Sequence, residues 1–471
     1  MNRLGTRFET LGWAIFAATL LWAPIPYASN RPWAWSLLAL LLGLAALCVA
    51  LAATPGQPPR PLPLVVIAAG LLVAAAPLWG WLQSTSGLLP APWQHPLWAE
   101  VRASGLEVEP RIAISSEGPR DNSMRLVSYL AAFLLAFHFG RDRRSARRIF
   151  LLVLAITAAE ALYGLFSHFA GIETIFWEAT PKVYAGTVTG TFVNRNNFAT
   201  YLNIGILIGL GFLLRDLLRA TGDEELRRRL ARILDDIAGR RGLLLFALLI
   251  LLSASLLTGS RGGFLSLAAA LMGFLLLGLL ATRPSPRMAA AIILFFALFT
   301  GLALYVSGAF VLERLMQVEA TGGNRTAAYA LALDLIRARP LFGHGYGSFE
   351  QLFMLNDDER FSGLIWDKAH NTYLEHAAEL GLPAALALYA GMLLLFLYLL
   401  SGIFRRRRDQ IYPLVATAAT ILVAVHALVD FSLQIPAVAV TYAAVLGVGV
   451  AQARSPRRDR RRLRDRNLQE L

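Results

Sequence analysis

The chain has 471 residues, of which 56% are hydrophobic, and its mean hydropathy is +0.54. This composition is too apolar for a soluble domain with an ordinary polar surface. The formal net charge is +13, but the basic residues follow the breaks between apolar blocks, so we favour a membrane-topology origin for the charge over nucleic-acid binding. The single cysteine, Cys48, lies inside an apolar block and excludes a disulfide framework.

Apolar blocks long enough to cross a bilayer, which takes about 20 residues per helix, recur along the whole chain. They predict an all-α polytopic integral membrane protein with about 12 transmembrane helices, in one membrane domain over residues 1–471. The first block has no small-residue cleavage site after it, so we interpret it as a retained helix. The predicted spans are 9–27, 33–53, 62–82, 122–140, 149–170, 195–214, 242–258, 262–282, 288–310, 382–402, 411–432 and 436–452.

Charged residues between the spans predict the orientation. With both termini cytoplasmic, the inner segments hold most of the arginines and the rest of the chain is net negative, as the positive-inside rule requires. Residues 453–471 then form a basic cytoplasmic tail. Residues 215–241 place apolar residues at helical spacing between arginines, which predicts an amphipathic helix at the cytoplasmic interface with anionic lipids. A solvated helix that binds a partner is the alternative.

The segment 311–381 is predicted to be a large, partly helical periplasmic loop. It closes with "DKAHNTYLEHAAELGLPA", where Thr372 and Glu375 fit a capping box and Gly381 fits the helix end. His370 then precedes a helix N-terminus, whose positive end disfavours an imidazolium and leaves the ring able to accept a proton.

Other histidines and acidic residues have a structural interpretation. His376 falls on a different helix face from His370 and is predicted to pack. Five polar residues within or near spans could form a proton relay, although buried polar contacts are the favoured interpretation: Glu160, His138, His168, His426 and Asp430. The acidic run 357–359 has no further ligand at metal-binding spacing and is read as a solvated loop, so no metal site is predicted.

Three arginines lie at the predicted outer side of the membrane. "GTFVNRNNFATYL" places Arg195 between Asn194 and Asn196, "LLTGSRGGFL" places Arg261 in a tight turn, and Arg325 lies in the outer loop. Taken singly, each has a structural interpretation. Arg195 could be a helix-start contact, Arg261 a side chain that snorkels to the headgroups, and Arg325 a solvated loop charge. Together they predict a diphosphate-binding surface, because guanidinium forks bind phosphate oxygens in pairs.

A glycine-rich stretch, "FGHGYGSFE", follows Arg325 in the outer loop. Gly343 and Gly345 could bring backbone N–H groups close to a phosphate, with His344 and Tyr346 beside them. These four residues are predicted to bind substrate. A plain flexible turn is the favoured interpretation of the glycine pattern taken alone, since the stretch is not in a strand–turn–helix unit.

One spacing resembles a known family. His370-Asn371 is followed by nine residues and Gly381, which is similar to the ligase pattern of the O-antigen ligase and polymerase superfamily. The second glycine of that pattern, three residues on, is replaced by Ala384.

Further landmarks of the superfamily occur in the same order. They are the "SR" at Arg261, the "NR" at Arg325 and the "GHGYGSF" stretch, and the resemblance covers roughly residues 190–440. The resemblance implies a GT-C-like enzyme of the bacterial inner membrane. Such an enzyme moves a glycan from undecaprenyl diphosphate to an acceptor hydroxyl, lipid A-core for a ligase, at the periplasmic face.

The resemblance and the location of the residues together imply roles. His370 takes the proton of the acceptor hydroxyl, Arg261 and Arg325 stabilise the leaving diphosphate with help from Arg195, and Asn371 orients the ring or the acceptor. The transfer is expected to invert the anomeric carbon and to need no metal or cofactor. Its partners are the lipid-linked donor, the acceptor and membrane lipids. A polymerase of O-antigen or exopolysaccharide and a pilin O-oligosaccharyltransferase are alternatives, and a polysaccharide transporter is the less favoured one.

Overall fold

A computed structural model describes most of the chain. The described residues are 3–53, 61–87, 90–175, 178–179, 184, 186–219, 239–283, 318–356, 366–406 and 409–453, with isolated positions between 286 and 301. Three predicted features lie wholly or mostly outside them: the ninth span at 288–310, the amphipathic helix at 215–241 and the basic tail at 453–471.

Helices dominate the described residues, as the sequence predicts. In chain order they are α1 (Arg3–Trp22), α2 (Pro32–Leu51), α3 (Leu64–Ser84), α4 (Leu97–Ala103), α5 (Glu117–Gly140), α6 (Arg143–Phe169), α7 (Arg195–Arg219), α8 (Arg240–Leu257), α9 (Arg261–Thr282), α10 (Val318–Ala338), α11 (Phe349–Leu355), α12 (Thr372–Leu380), α13 (Leu382–Arg405), α14 (Ile411–His426) and α15 (Pro436–Gln452). Short 3-10 turns lie at Tyr27–Ser29, Ala91–Trp93 and Ser432–Gln434. One small departure from the all-α prediction is a two-stranded antiparallel hairpin, in which β1 (Thr174–Ile175) pairs with β2 (Glu178–Ala179).

Seven of the described helices are long and apolar enough to cross a membrane: α2, α3, α5, α6, α7, α9 and α13. The shorter helices α8, α14 and α15 are also apolar. Together with α1, these helices coincide with the predicted spans other than 288–310. The structure therefore supports a polytopic helical membrane protein, and the number of twelve spans stays a prediction.

The helices pack around a buried centre. Residues 197–214 of α7 are all buried, and most of α14 and α15 is buried as well. In contrast, α2 and α13 expose large apolar side chains such as Leu40, Leu47 and Leu393. Exposed apolar surface of this kind faces lipid in a membrane protein. The central helices α7, α14 and α15 therefore form the rigid support on which the polar residues described below are mounted.

Close helix packing in this centre depends on glycine. A Cβ atom at Gly447 of α15 would overlap the carbonyl oxygen of Phe133 on α5. Small residues at such positions let membrane helices approach each other closely. The contact fixes α15, and with it the connection between α14 and α15.

The described part of the predicted loop 311–381 contains three helices, α10, α11 and α12. All but the last two residues of "NRTAAYALALDLIRARP" lie within one 21-residue helix, α10. Apolar residues of α10, such as Ala328 and Leu331, pack with Phe349 of α11 and Ala378 of α12 in a small separate core. This core orients α12, the helix that follows His370.

Candidate active site

His370 stands immediately before helix α12. The N-cap of α12 is Asn371, whose side-chain oxygen accepts hydrogen bonds from the backbone N–H groups of Tyr373 and Leu374, each at 3.1 Å. The predicted N-cap, Thr372, is therefore wrong by one residue. Both residue types cap helices well, and asparagine is the stronger of the two. The structure gives the Asn371 side-chain oxygen a capping contact, and its role towards substrate stays a prediction.

The predicted capping box is also replaced by other contacts. The Glu375 carboxylate accepts a hydrogen bond from the backbone N–H of Ala369 and another from the side-chain amide of Gln434, each at 2.9 Å. The Lys368 amine lies 3.5 Å from the same carboxylate. Glu375 thus ties the segment before His370 to the connection between α14 and α15.

The backbone and ring of His370 are tightly held. Its φ angle is +53°, a left-handed conformation that is uncommon for a residue with a side chain and that often marks a functional site. The ring packs edge-to-face between Trp366 and Phe431, with centroid distances of 5.0 Å to each. Tyr329 donates a hydrogen bond from its hydroxyl to the His370 carbonyl at 3.2 Å. The side chain remains 18% exposed, so a substrate can reach a ring whose orientation is fixed.

Asp430, in the connection between α14 and α15, is the nearest charged partner of His370. Its Oδ2 atom lies 3.9 Å from His370 Nδ1, an ion-pair contact too long for a hydrogen bond. The carboxylate is almost fully buried and accepts hydrogen bonds from the Asn196 amide at 2.6 Å and from the Phe431 N–H at 2.8 Å. Thr372 donates to the Asp430 carbonyl at 2.8 Å, which ties α12 to the same connection.

The surroundings of Asp430 keep it ionised. Burial raises the pKa of its carboxyl, but the nearby His370 and His426 rings and the Phe431 N–H together lower it by more, so the pKa lies below its ordinary value. A carboxylate at this place stabilises the positive charge that a histidine gains when it takes a proton. Sequence reasoning interpreted Asp430 as a buried contact. The only hint was an acidic residue inside the predicted span 411–432, close to its C-terminal end.

The three predicted arginines line one cleft. Arg195, Arg261 and Arg325 surround a space of about 60 Å³ together with Asp430. Arg195 and Arg261 are the first residues of α7 and α9, while Arg325 belongs to α10 and donates to the Val429 carbonyl at 3.4 Å. The N-terminal ends of α7 and α9 add partial positive charge to the guanidinium groups. The cleft is therefore electrostatically suited to a compact anion.

The predicted asparagines shape the start of α7. The Asn194 side-chain oxygen accepts a hydrogen bond from the Asn196 N–H at 2.8 Å. The Asn196 amide holds Asp430, as described above. Asn194 instead lines a second cavity, next to His370. Substrate contacts by Asn194 and Asn196 stay predictions, and the structure adds the support that Asn196 gives to Asp430.

The glycine-rich stretch lies apart from the arginine cleft and from the cavity at His370, and substrate binding by it stays a prediction. Four residues predicted to bind substrate line neither the arginine cleft nor the cavity at His370: Gly343, His344, Gly345 and Tyr346. The stretch instead packs on the end of α12, where the His344 N–H donates to the Ala378 carbonyl and the Gly345 N–H to the Glu379 carbonyl. The contacts of this stretch are those of a structural connection.

The His344 side chain of this stretch is also occupied. The two ring nitrogens of His344 lie 2.9 Å from His95 Nε2 and 3.0 Å from the Leu335 carbonyl oxygen. Burial is the main reason that the pKa of His344 falls to about 4 and that of His95 to about 3. Both rings are therefore neutral at physiological pH and cannot attract a phosphate.

Two further predictions concern His376 and metal binding. His376 lies within α12, with its Nδ1 atom 2.8 Å from the Tyr389 hydroxyl, in agreement with a packing role. In the part of the chain that the structure describes, no group of three or more His, Cys, Asp or Glu side chains is arranged to hold a metal ion. The acidic run 357–359 lies outside the described residues.

Comparison with known proteins gives one match. Residues 246–389 match the family model described as O-antigen ligase, which confirms the resemblance to that superfamily. The matched region contains Arg261, Arg325 and His370, whereas Arg195 and Asp430 lie outside it. No curated protein matches the chain.

Proposed function

We propose that this chain, whose residues 246–389 match the family model described as O-antigen ligase, is a membrane glycosyltransferase of the O-antigen ligase type. It moves a glycan from undecaprenyl diphosphate to a hydroxyl of lipid A-core, at the periplasmic face of the bacterial inner membrane. One observation carries the proposal: three arginines from separate helices line one cleft with Asp430, the carboxylate next to His370.

The arginine cleft binds the diphosphate of the donor. As the glycosidic bond breaks, negative charge develops on the leaving diphosphate, and groups placed in advance stabilise it best. Arg195, Arg261 and Arg325 supply that positive charge, and each guanidinium can bind two phosphate oxygens. These three groups can do the work that a divalent cation does in other transferases, so we propose a metal-independent reaction.

His370 acts as the general base. Because Nδ1 is the ring nitrogen nearest Asp430, Nε2 is available to the acceptor hydroxyl. The acceptor oxygen attacks the anomeric carbon from the face opposite the diphosphate while its proton passes to His370. The new carbon–oxygen bond forms as the bond to the diphosphate breaks, and the electron pair leaves with undecaprenyl diphosphate. The anomeric configuration is therefore inverted.

Asp430 acts through His370, as a positioning residue. We expect Asp430→Asn, which keeps the shape and removes the charge, to lower kcat about 10²-fold, because the imidazolium formed during transfer loses its stabilising carboxylate. The KM for the acceptor should change little. Kinetics with purified protein over a range of pH measure both quantities. The matched control is Asp334→Asn, an exposed carboxylate paired with Arg337, which should behave as the wild type. An unchanged kcat in Asp430→Asn would contradict this role.

Two related activities remain as alternatives within the superfamily, a polymerase and a pilin O-oligosaccharyltransferase. Deletion of the gene separates them from a ligase. Loss of a ligase leaves the lipopolysaccharide core bare while carrier-linked polymer accumulates. Loss of a polymerase leaves a core that carries one repeat unit. Unchanged lipopolysaccharide would contradict both a ligase and an O-antigen polymerase. It would favour an exopolysaccharide or pilin acceptor.

A polysaccharide transporter is less well supported. Transporter sites are typically formed by broken helices near the bilayer midplane. The candidate site here is built from the ends of helices: the N-termini of α7, α9 and α12 and the connection after α14. This arrangement favours chemistry at one face of the membrane over passage through it.

A further inference from the structure

A second cavity, of about 170 Å³, adjoins His370. The turn between α1 and α2, the segment before α7 and the segment before α12 all contribute to its walls. The residues that matter here are Tyr27, Asn30, Tyr184, Asn194, Asp367 and His370. The cavity has room for a single ring rather than for a chain.

The cavity and the arginine cleft share a wall. Residues adjacent in sequence line different spaces. The cavity is lined by Asn194, Asn197 and Phe431, and the cleft is lined by their neighbours Arg195, Asn196 and Asp430. His370 lines the cavity, and its Nδ1 atom lies 3.9 Å from Asp430, which lines the cleft. Two substrates held in the two spaces would therefore meet next to His370.

The two spaces differ in charge. The cleft holds three arginines, whereas the cavity is lined, among the residues that the structure describes, by Asp367 and by no arginine or lysine. Arg31 stacks over the Tyr27 ring at 5.3 Å and is not one of the lining residues. A phosphate or carboxylate would be repelled by Asp367 and would meet no cationic side chain among the described lining residues, so the cavity disfavours anions.

The other lining groups suit a sugar. The Asn30 and Asn194 amides can donate and accept hydrogen bonds, and Asp367 can accept them from hydroxyl or amino groups. The rings of Tyr27 and Tyr184 supply apolar surface. Asn30 and Asp367 are exposed and lie at the mouth, while His370 is mostly buried at the inner end. A few placed polar groups between aromatic walls are typical of a specific small-molecule site.

The α1–α2 turn is held in a strained shape at this cavity. Tyr27, Ala28 and Ser29 have φ angles of +53°, +56° and +56°, a left-handed conformation that is unfavourable for residues with a Cβ atom. The Tyr27 hydroxyl donates to the Ile175 carbonyl at 3.2 Å and the Ser29 hydroxyl to the Ala23 carbonyl at 2.8 Å. Strain that the surroundings maintain is a frequent property of binding sites, and here it places the Tyr27 ring and Asn30 on the cavity wall.

We propose that this cavity is the subsite for the acceptor sugar and that it selects a neutral or amino sugar over a phosphorylated or acidic one. Asn30 and Asp367 bind hydroxyl or amino groups of the ring at the mouth, and the reacting hydroxyl faces His370. The proposal rests on the proposed function, because it assigns the second substrate of that transfer.

The test uses the full chain in lipid nanodiscs, with an undecaprenyl-diphosphate-linked glycan as donor. The acceptor probes are octyl hexoside, its 2-amino analogue and its 6-phosphate. We expect Asn30→Ala and Asp367→Asn to raise the KM for octyl hexoside about tenfold, the effect of losing one hydrogen bond to a polar or charged group. The KM for the donor should stay within about twofold. Asp334→Asn is the matched control for Asp367→Asn.

The second part of the test reverses the charge at Asp367. The wild type should use the 6-phosphate at least about tenfold less well than octyl hexoside, and Asp367→Lys should reduce or remove this preference. Equal use of the two probes by the wild type would overturn the proposal. So would a rise in the KM for the donor, but not for the hexoside, in the two mouth variants.

The two possible failures are distinguishable. If the wild type consumes the donor, by transfer or by hydrolysis, and the mouth variants leave every acceptor KM unchanged, the subsite is wrong and the proposed function stands. The subsite is also wrong if the wild type consumes the donor and transfers it to none of the three probes. If the wild type does not consume the donor at all, the proposed function itself is wrong.

Discussion

Replacing His370 with alanine should lower the rate of glycan transfer at least about 10³-fold while leaving the protein folded in the membrane. A positioned general base contributes about 10²–10⁴-fold to a reaction of this kind. His370 is held for that task between Trp366 and Phe431, with Asp430 at 3.9 Å from its Nδ1 atom. The measurement is single-turnover transfer by purified protein from an undecaprenyl-diphosphate-linked glycan.

A matched histidine provides the control for this variant. The His168 ring meets the Phe169 ring edge-to-face at the end of α6 and lines neither the cleft nor the cavity, so His168→Ala should retain the wild-type rate. The amount of protein in the membrane and its thermal unfolding should be similar in both variants. A His370→Ala protein that transfers glycan within about tenfold of the wild-type rate would exclude His370 as the base.

Lysine should be unable to take over the function of the arginines in the cleft. We expect Arg261→Lys and Arg325→Lys each to lower kcat/KM for the donor about 10²-fold, comparable to losing one preorganised donor to a developing anion. Lysine keeps the charge but loses the planar fork that binds two phosphate oxygens. Initial rates over a range of donor concentrations measure the effect.

The control for these variants is an arginine of similar type outside the site. Arg337 lies on α10, as Arg325 does, but is exposed and pairs with Asp334 at 2.8 Å. Arg337→Lys should therefore leave kcat/KM unchanged. If Arg261→Lys and Arg325→Lys both kept the wild-type value, point charge alone would be sufficient, and bidentate binding of the diphosphate would be wrong.

The membrane helices and the arginine cleft were accessible from the sequence for physical reasons. Apolar blocks of bilayer length must form helices, because their backbone polar groups can be hydrogen-bonded only within the protein. Arg195 and Arg261 were conspicuous because a guanidinium at the end of a span is costly without a partner. Their convergence with Arg325 follows from three helix positions that all lie at the same predicted face.

Asp430 could not be predicted from the sequence because its partner is distant along the chain. Sixty residues separate it from His370, and only the packing of α12 against the α14–α15 connection brings them together. The predicted N-cap of α12 was wrong by one residue, because Asn371 and Thr372 are adjacent and both residue types are good N-caps.

The glycine-rich stretch could not be assigned from the sequence because different requirements for glycine look alike there. Gly343 has a φ angle of +66°, and a Cβ atom there would overlap the carbonyl oxygen of Glu379. Glycine is thus needed for close approach to the end of α12, in the same way that a phosphate-binding loop needs it for close approach to a ligand. Sequence alone does not say which group approaches.

The most direct test of the central claim is a cryo-EM structure of the full chain with an undecaprenyl-diphosphate-linked glycan bound. We predict density for the diphosphate in the cleft between Arg195, Arg261 and Arg325, with the first sugar directed towards His370. A diphosphate bound outside this cleft, for example at the stretch 343–347, with the arginine cleft left vacant, would contradict the account.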